Sequence, residues 1–140
     1  MCMSRILKTS GFLGLATMMV VGLYQYTLLE SGGVPSWLVG GHAHLGVLSI
    51  LAVVMGFAVD AFALTGRLRA AVSGLFVVGQ WLLPLTIWVG VGFGLTFLIP
   101  TTFLWGVCLI VSMLIMAWQA WVSEPTTPGG MPGPASPADD

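Results

Sequence analysis

Glu30, Asp60, Arg67 and Arg69 are the only charged residues between Thr9 and Val122. A soluble domain places charge on about a quarter of its residues, whereas here charged residues make up 6% and apolar ones 57%. A chain so poor in charge has nothing with which to build a water-facing surface. Its long uncharged runs therefore read as elements for which lipid is the solvent.

The hydrocarbon core of a bilayer is about 30 Å thick and takes about 20 apolar residues in helical form. Four stretches meet that requirement, about 10 to 29, 37 to 64, 70 to 93 and 101 to 122. Glu30-Ser-Gly-Gly-Val-Pro35-Ser36 breaks the first from the second, with Ser36 in place to cap the second helix. Thr65-Gly66-Arg67-Leu68-Arg69 makes the next turn, and a glycine-rich stretch ending at Pro100 closes the third run. The expected fold is all-α, a four-helix transmembrane bundle running up-down-up-down. Arg5, Lys8, Arg67 and Arg69 then share one side, which the positive-inside rule makes the cytoplasm, with both termini there. Arg5 and Lys8 precede an apolar run as in a secretory signal, but no small-residue cleavage site follows before Tyr24, so the first helix is read as uncleaved. Residues 1–122 form the tetrahelical domain of a multi-pass protein of the cell membrane. Residues 123–140, rich in Pro and Gly, read as a disordered cytoplasmic tail.

Polar side chains at membrane depth are costly unless partnered, which makes each a functional candidate. Gln25, His42, His44, Asp60, Gln80, Cys108 and Gln119 are the set. Gln25 and Gln119 lie near helix ends, where reaching the interface is cheap, and Asp60 lies within reach of Arg67 and Arg69. Trp81 and Trp88 sit deeper and require partners inside. His42 and His44 lie about 8 to 10 Å below the outer boundary and point about 200° apart on their helix. They cannot grip one ion together. His42 shares a face with Gly46, Ser49, Val53, Gly56 and Asp60, small or polar residues that suit close helix packing. His44 shares one with Leu48, Leu51, Met55 and Phe62, a bulky stripe suited to lipid, a second subunit or a porphyrin.

Two histidines and one buried thiol fall short of the three or four ligands of a zinc centre. Imidazole is, however, a standard axial ligand of haem iron, and helical bundles hold haem between facing helices.

The stretch Gly41-His42-Ala43-His44-Leu45-Gly46 resembles two groups of haem membrane proteins. One is the catalytic subunit of haem-copper oxidases, whose second helix carries a similar His-Ala-His or Ala-His stretch; this chain is far too short for that subunit and lacks its further histidines. The other is the styrene-oxide isomerase family of small four-helix membrane proteins, whose Ala-His-x-Gly segment on helix two is similar to Ala43-His44-Leu45-Gly46. That resemblance extends to helix order, length and the Gln80-Trp81 region. It implies haem b held between subunits of a homo-oligomer, with His44 as the axial ligand and ferric iron acting as a Lewis acid on a small apolar epoxide. His42, Gln80, Trp81 and Cys108 are the expected pocket groups. The family's Asn six residues after the ligand is replaced by Ile50, and Gly79 and Gln80 stand where it has an acidic residue before the helix-three tryptophan. Haem binding is expected to survive these departures better than epoxide isomerisation.

Two other readings compete. A non-catalytic membrane subunit would use its small-residue faces to pack against a partner complex. A proton or solute path would run along His42, Ser49 and Asp60. With a net charge of −1 and no basic cluster beyond short pairs, nucleic acid is excluded as a partner. No nucleophile beside a base, phosphate loop or carboxylate pair supports a hydrolase or kinase.

Overall fold

The structure, a computed structural model, describes residues 2–123. Apart from Ser123, the expected tail therefore lies outside the described residues. The described chain folds into four long helices, α1 (Cys2–Ser31), α2 (Ser36–Ala61), α3 (Gly66–Gly92) and α4 (Thr101–Val122). Each of the four is long and apolar enough to cross a membrane. A 3₁₀ turn over Thr96–Leu98 sits between α3 and α4.

Side-chain bonds at both ends fix the relative directions of the helices. Lys8 near the start of α1 bonds Asp60 near the end of α2, while Gln25 near the end of α1 bonds the carbonyl of Leu38 near the start of α2. Thr86 meets Thr102, and Ser112 donates to the carbonyl of Val72, so α3 and α4 are also antiparallel. Ser10 against Gln80 and Ser4 against Arg69 make α1 and α3 parallel. Consecutive helices therefore alternate in direction, as expected of the four-helix bundle.

Two helix starts depart from expectation. α1 begins eight residues before the expected position because nothing in Cys2–Thr9 breaks a helix and the first turns are tied down: Leu7 is fully buried and Lys8 is bonded to α2. At 30 residues α1 is about 45 Å long, which exceeds the hydrocarbon thickness. α3 begins at Gly66, placing Arg67 and Arg69 inside its first turn. Ser36 is the first residue of α2 and its hydroxyl caps nothing; the carbonyl of Pro35 instead accepts from the N–H groups of Leu38 and Val39.

α2 ends in a left-handed turn. Ala63 has φ of 49° and donates to the Asp60 carbonyl, while Leu64 donates to the Val59 carbonyl and buries its side chain. This is the helix-terminating arrangement in which two orphan carbonyls are satisfied and an apolar residue folds back on the last turn. It carries the chain directly to Arg69. Asp60 pairs with Arg69 at 2.9 Å and Lys8 at 2.8 Å, joining three helices.

The helices are not equivalent. The core cluster joins Leu7 of α1, Ala52, Met55 and Val59 of α2, Val72 and Phe76 of α3, and Met116 of α4. α4 packs chiefly on α3 and buries only Ser112 and Met116. The other three helices close around a polar seam.

Candidate functional site

The seam is built from Ser10, Ser49 and Gln80, all buried. Ser10 donates its hydroxyl to Gln80 Oε1 at 2.9 Å; Gln80 Nε2 donates to the Ser10 carbonyl and to Ser49 Oγ, both at 3.1 Å. Trp81 Nε1 donates to Ser10 Oγ at 2.8 Å. A fully buried amide has no water to fall back on, so Gln80 is tolerable because both ends of its side chain are engaged. Gly14 makes room for this group, since a Cβ there would collide with Ser49 Oγ. Pro84 is one turn further along α3 and has no N–H for the Gln80 carbonyl.

His42 lies on the flank of α2 that meets α1. A Cβ at Gly22 would come within 3.2 Å of its Cε1. Its Nδ1 is buried and has no hydrogen-bond partner among the described residues. The nearest natural acceptor, the carbonyl one turn back at Leu38, already accepts from Gln25 Nε2 at 3.0 Å and Trp88 Nε1 at 3.4 Å. Lower in the same contact between α1 and α2, a Cβ at Gly46 or Gly56 of α2 would strike Met18 or the Lys8 side chain, and one at Gly11 of α1 the Ser49 carbonyl. Of the face expected to look into the bundle, Gly46, Ser49 and Gly56 are buried against α1, His42 and Val53 are half-buried, and Asp60 is exposed.

His44 is exposed and lies in an open recess of about 270 Å³ lined by Ala43, His44, Val47 and Leu48. Its Nδ1 lies 2.8 Å from the Gly40 carbonyl. A carbonyl only accepts, so Nδ1 carries the proton, and in the neutral ring the lone pair is then on Nε2. That is the orientation in which metal-binding histidines are commonly held, the far ring nitrogen being fixed by a backbone oxygen. Gly40 has open space where a side chain would stand. The stripe below His44 does not stay outside, however. Leu48 and Leu51 are half-buried and Met55 belongs to the core. The outward stripe of α2 is instead Val39, Val47, Ile50, Val54 and Phe57, and the inward one is Leu38, Gly41, Leu45, Ala52 and Val59. His44 stands at the border between them.

The five expected pocket residues occupy four places. His44 lines the recess, and His42, Gln80, Trp81 and Cys108 do not. Gln80 and Trp81 meet at Ser10 in the seam. Cys108 is a half-buried free thiol on α4. Its helix neighbours Trp105 and Leu109 are the residues a Cβ at Gly79 would touch, which sets Cys108 near the level of Gln80 and Ser49. Ser49 is about 7.5 Å along α2 from His44, so the two do not share a depth. Ser10 escapes the sequence reading because a helix started at residue 10 leaves it at the membrane edge; the small residues Gly11 and Gly14 beside it are the signal that it sits in a tight interface.

Among the described residues no cluster of three or more His, Cys, Asp or Glu is placed to hold a metal ion. Haem makes a lighter demand, because the porphyrin brings its own four nitrogens and one imidazole completes an axial site. The Nδ1-protonated His44 on an apolar surface fits that demand. Together these features define an all-α protein of four long apolar helices, consistent with a multi-pass membrane protein, with a buried polar seam and one outward-facing imidazole. The chain belongs to the family described as Domain of unknown function (DUF8059), whose model matches residues 3–140. No curated protein and no solved structure matches the chain.

Proposed function

We propose that this is a haem b binding protein of the cell membrane in which His44 is the axial ligand. Its four helices span the bilayer with both termini and the four cations on the cytoplasmic side, following the positive-inside rule. The observation that carries the reading is the bond from His44 Nδ1–H to the Gly40 carbonyl, which leaves Nε2 free on an apolar face. Ala43, Val47 and Leu48 supply the apolar wall beside the ring, and the bare backbone at Gly40 permits close approach. The recess is open, so a second copy of the chain covers the far side of the tetrapyrrole and the binding unit is a homo-oligomer. Haem bound there supplies Lewis-acid or one-electron chemistry. Of the residues expected around it, Gln80 and Trp81 act at a distance, by fixing α1 and α3 through Ser10.

The test is the optical spectrum of the full chain, expressed with ample haem and extracted in detergent. A Soret band in proportion to protein, lost in His44→Ala, is the expected result. Its absence in the unmodified protein ends the proposal. The reading as a non-catalytic subunit draws support from α4, whose Phe103, Trp118 and Trp121 are largely exposed. Co-purification with a partner and no bound cofactor is its mark.

A further inference from the structure

A second recess, of about 400 Å³, lies between α1 and α3 at the end of the molecule that carries the cations. Arg5, Ile6, Thr9, Ser10, Leu13 and Trp81 line it. From Arg5 to Leu13 it follows α1 for about 12 Å. Its polar floor is already occupied from within: Ser10 Oγ accepts from Trp81 Nε1 and donates to Gln80. What remains accessible is chiefly hydrocarbon wall with a guanidinium at the mouth.

That guanidinium is free. Lys8 and Arg69 are paired with Asp60, and Lys8 also lies over the Phe57 ring at 4.1 Å. Arg5 is exposed and has no hydrogen bond or ion pair among the described residues. This end therefore has four cations facing a single described carboxylate, and Arg5 is the uncompensated one that borders an apolar groove. Arg67, exposed and equally unpaired, does not line it.

We infer that this groove binds one anionic phospholipid, its phosphate on Arg5 and one hydrocarbon chain against Ile6, Leu13 and Trp81. A zwitterionic lipid fits the walls as well but brings its own cation to the mouth. The site therefore selects by charge. A basic side chain at the headgroup level contributes about 1 kcal/mol toward anionic lipid, which converts to about a fivefold preference.

The experiment is native mass spectrometry of the full chain released from nanodiscs containing equal amounts of phosphatidylglycerol and phosphatidylcholine. The expected result is one retained phosphatidylglycerol, favoured about fivefold over phosphatidylcholine. Arg5→Gln removes the preference, while Arg67→Gln at the same end leaves it. Thr9→Phe, which fills the groove, lowers retention of both lipids. Equal losses in Arg5→Gln and Arg67→Gln overturn the inference, because the preference then belongs to the surface charge as a whole. A gain in retention on deleting residues 124–140 also overturns it, since the tail, with Glu124, Asp139 and Asp140, is then the occupant. A gain in retention when the chain is made monomeric assigns the groove to a second copy and has the same consequence. None of these readouts depends on haem.

Discussion

His42 and His44 stand on opposite flanks of one helix, and what separates them is the state of a carbonyl oxygen one turn earlier. At Leu38 that oxygen is taken by Gln25 and Trp88, and His42 Nδ1 is left buried without a partner. At Gly40 it is free of other side chains and receives His44 Nδ1. The same residue type, two positions apart, becomes a packing element in one case and a ring with a committed tautomer in the other. A helix flank that is crowded by its neighbour spends its backbone acceptors on that neighbour; a flank that is open keeps them for its own side chains.

The contrast is broken or sharpened by four measurements. The largest effect is on haem. His44→Ala lowers retained haem by more than the roughly 10–100-fold that loss of a supporting bond costs at a metal site, and His42→Ala leaves the Soret band in place. Equal loss in both variants removes the distinction between the flanks. Next is the cost of a side chain where each flank carries glycine contacts. Gly11→Val places atoms against the Ser49 carbonyl and Val53 backbone, which cannot swing aside. It destabilises by about 1–3 kcal/mol, the usual range for overpacking. Gly40→Ala meets nothing and is neutral or stabilising by up to about 1 kcal/mol, the helix preference of Ala over Gly. Thermal unfolding in detergent compares them, and a destabilised Gly40→Ala shows that the outer flank is covered within the protomer.

Gln80→Leu comes third. It removes three side-chain bonds, each averaging about 0.6 kcal/mol in membrane helices, for a total of about 2 kcal/mol; no loss of melting temperature means the seam is not holding the three helices together. The smallest effect is at His42 itself. With Nδ1 unpaired, His42→Leu stays within about 0.5 kcal/mol of the unmodified protein, and a larger loss reveals a partner for that nitrogen outside the chain.

How far the sequence carried these conclusions varies by residue. The four helices were legible because charge is confined to their ends, and a run of about 20 apolar residues has few alternative fates. The inner face of α2 was legible in part, since Gly46, Ser49 and Gly56 are too small for anything except close approach. The partners were not. Asp60 was placed beside Arg67 or Arg69, and it takes Arg69 together with Lys8, a residue 52 positions away. Spacing along one helix cannot show which side chain of another helix arrives opposite. The stripe assigned to His44 failed lower down for a related reason. Periodicity groups Met55 with His44, but α3 and α1 enclose that level of α2 and leave the flank around His44 open. Whether a stripe is wet by lipid or sealed by protein depends on where its neighbours end.

α4 differs from the rest in how little of it is sheltered, with Ser112 and Met116 alone sealed inside and an outer surface from Phe103 to Trp121. In a chain synthesised from its N-terminus, the helix with the fewest obligations to its fellows is also the last of these four to emerge. α1, α2 and α3 already possess the seam and the three-helix ion cluster before it appears. Folding thus has a natural order: a trio that locks through polar contacts, followed by a latecomer that leans against α3 and leaves its far side uncovered.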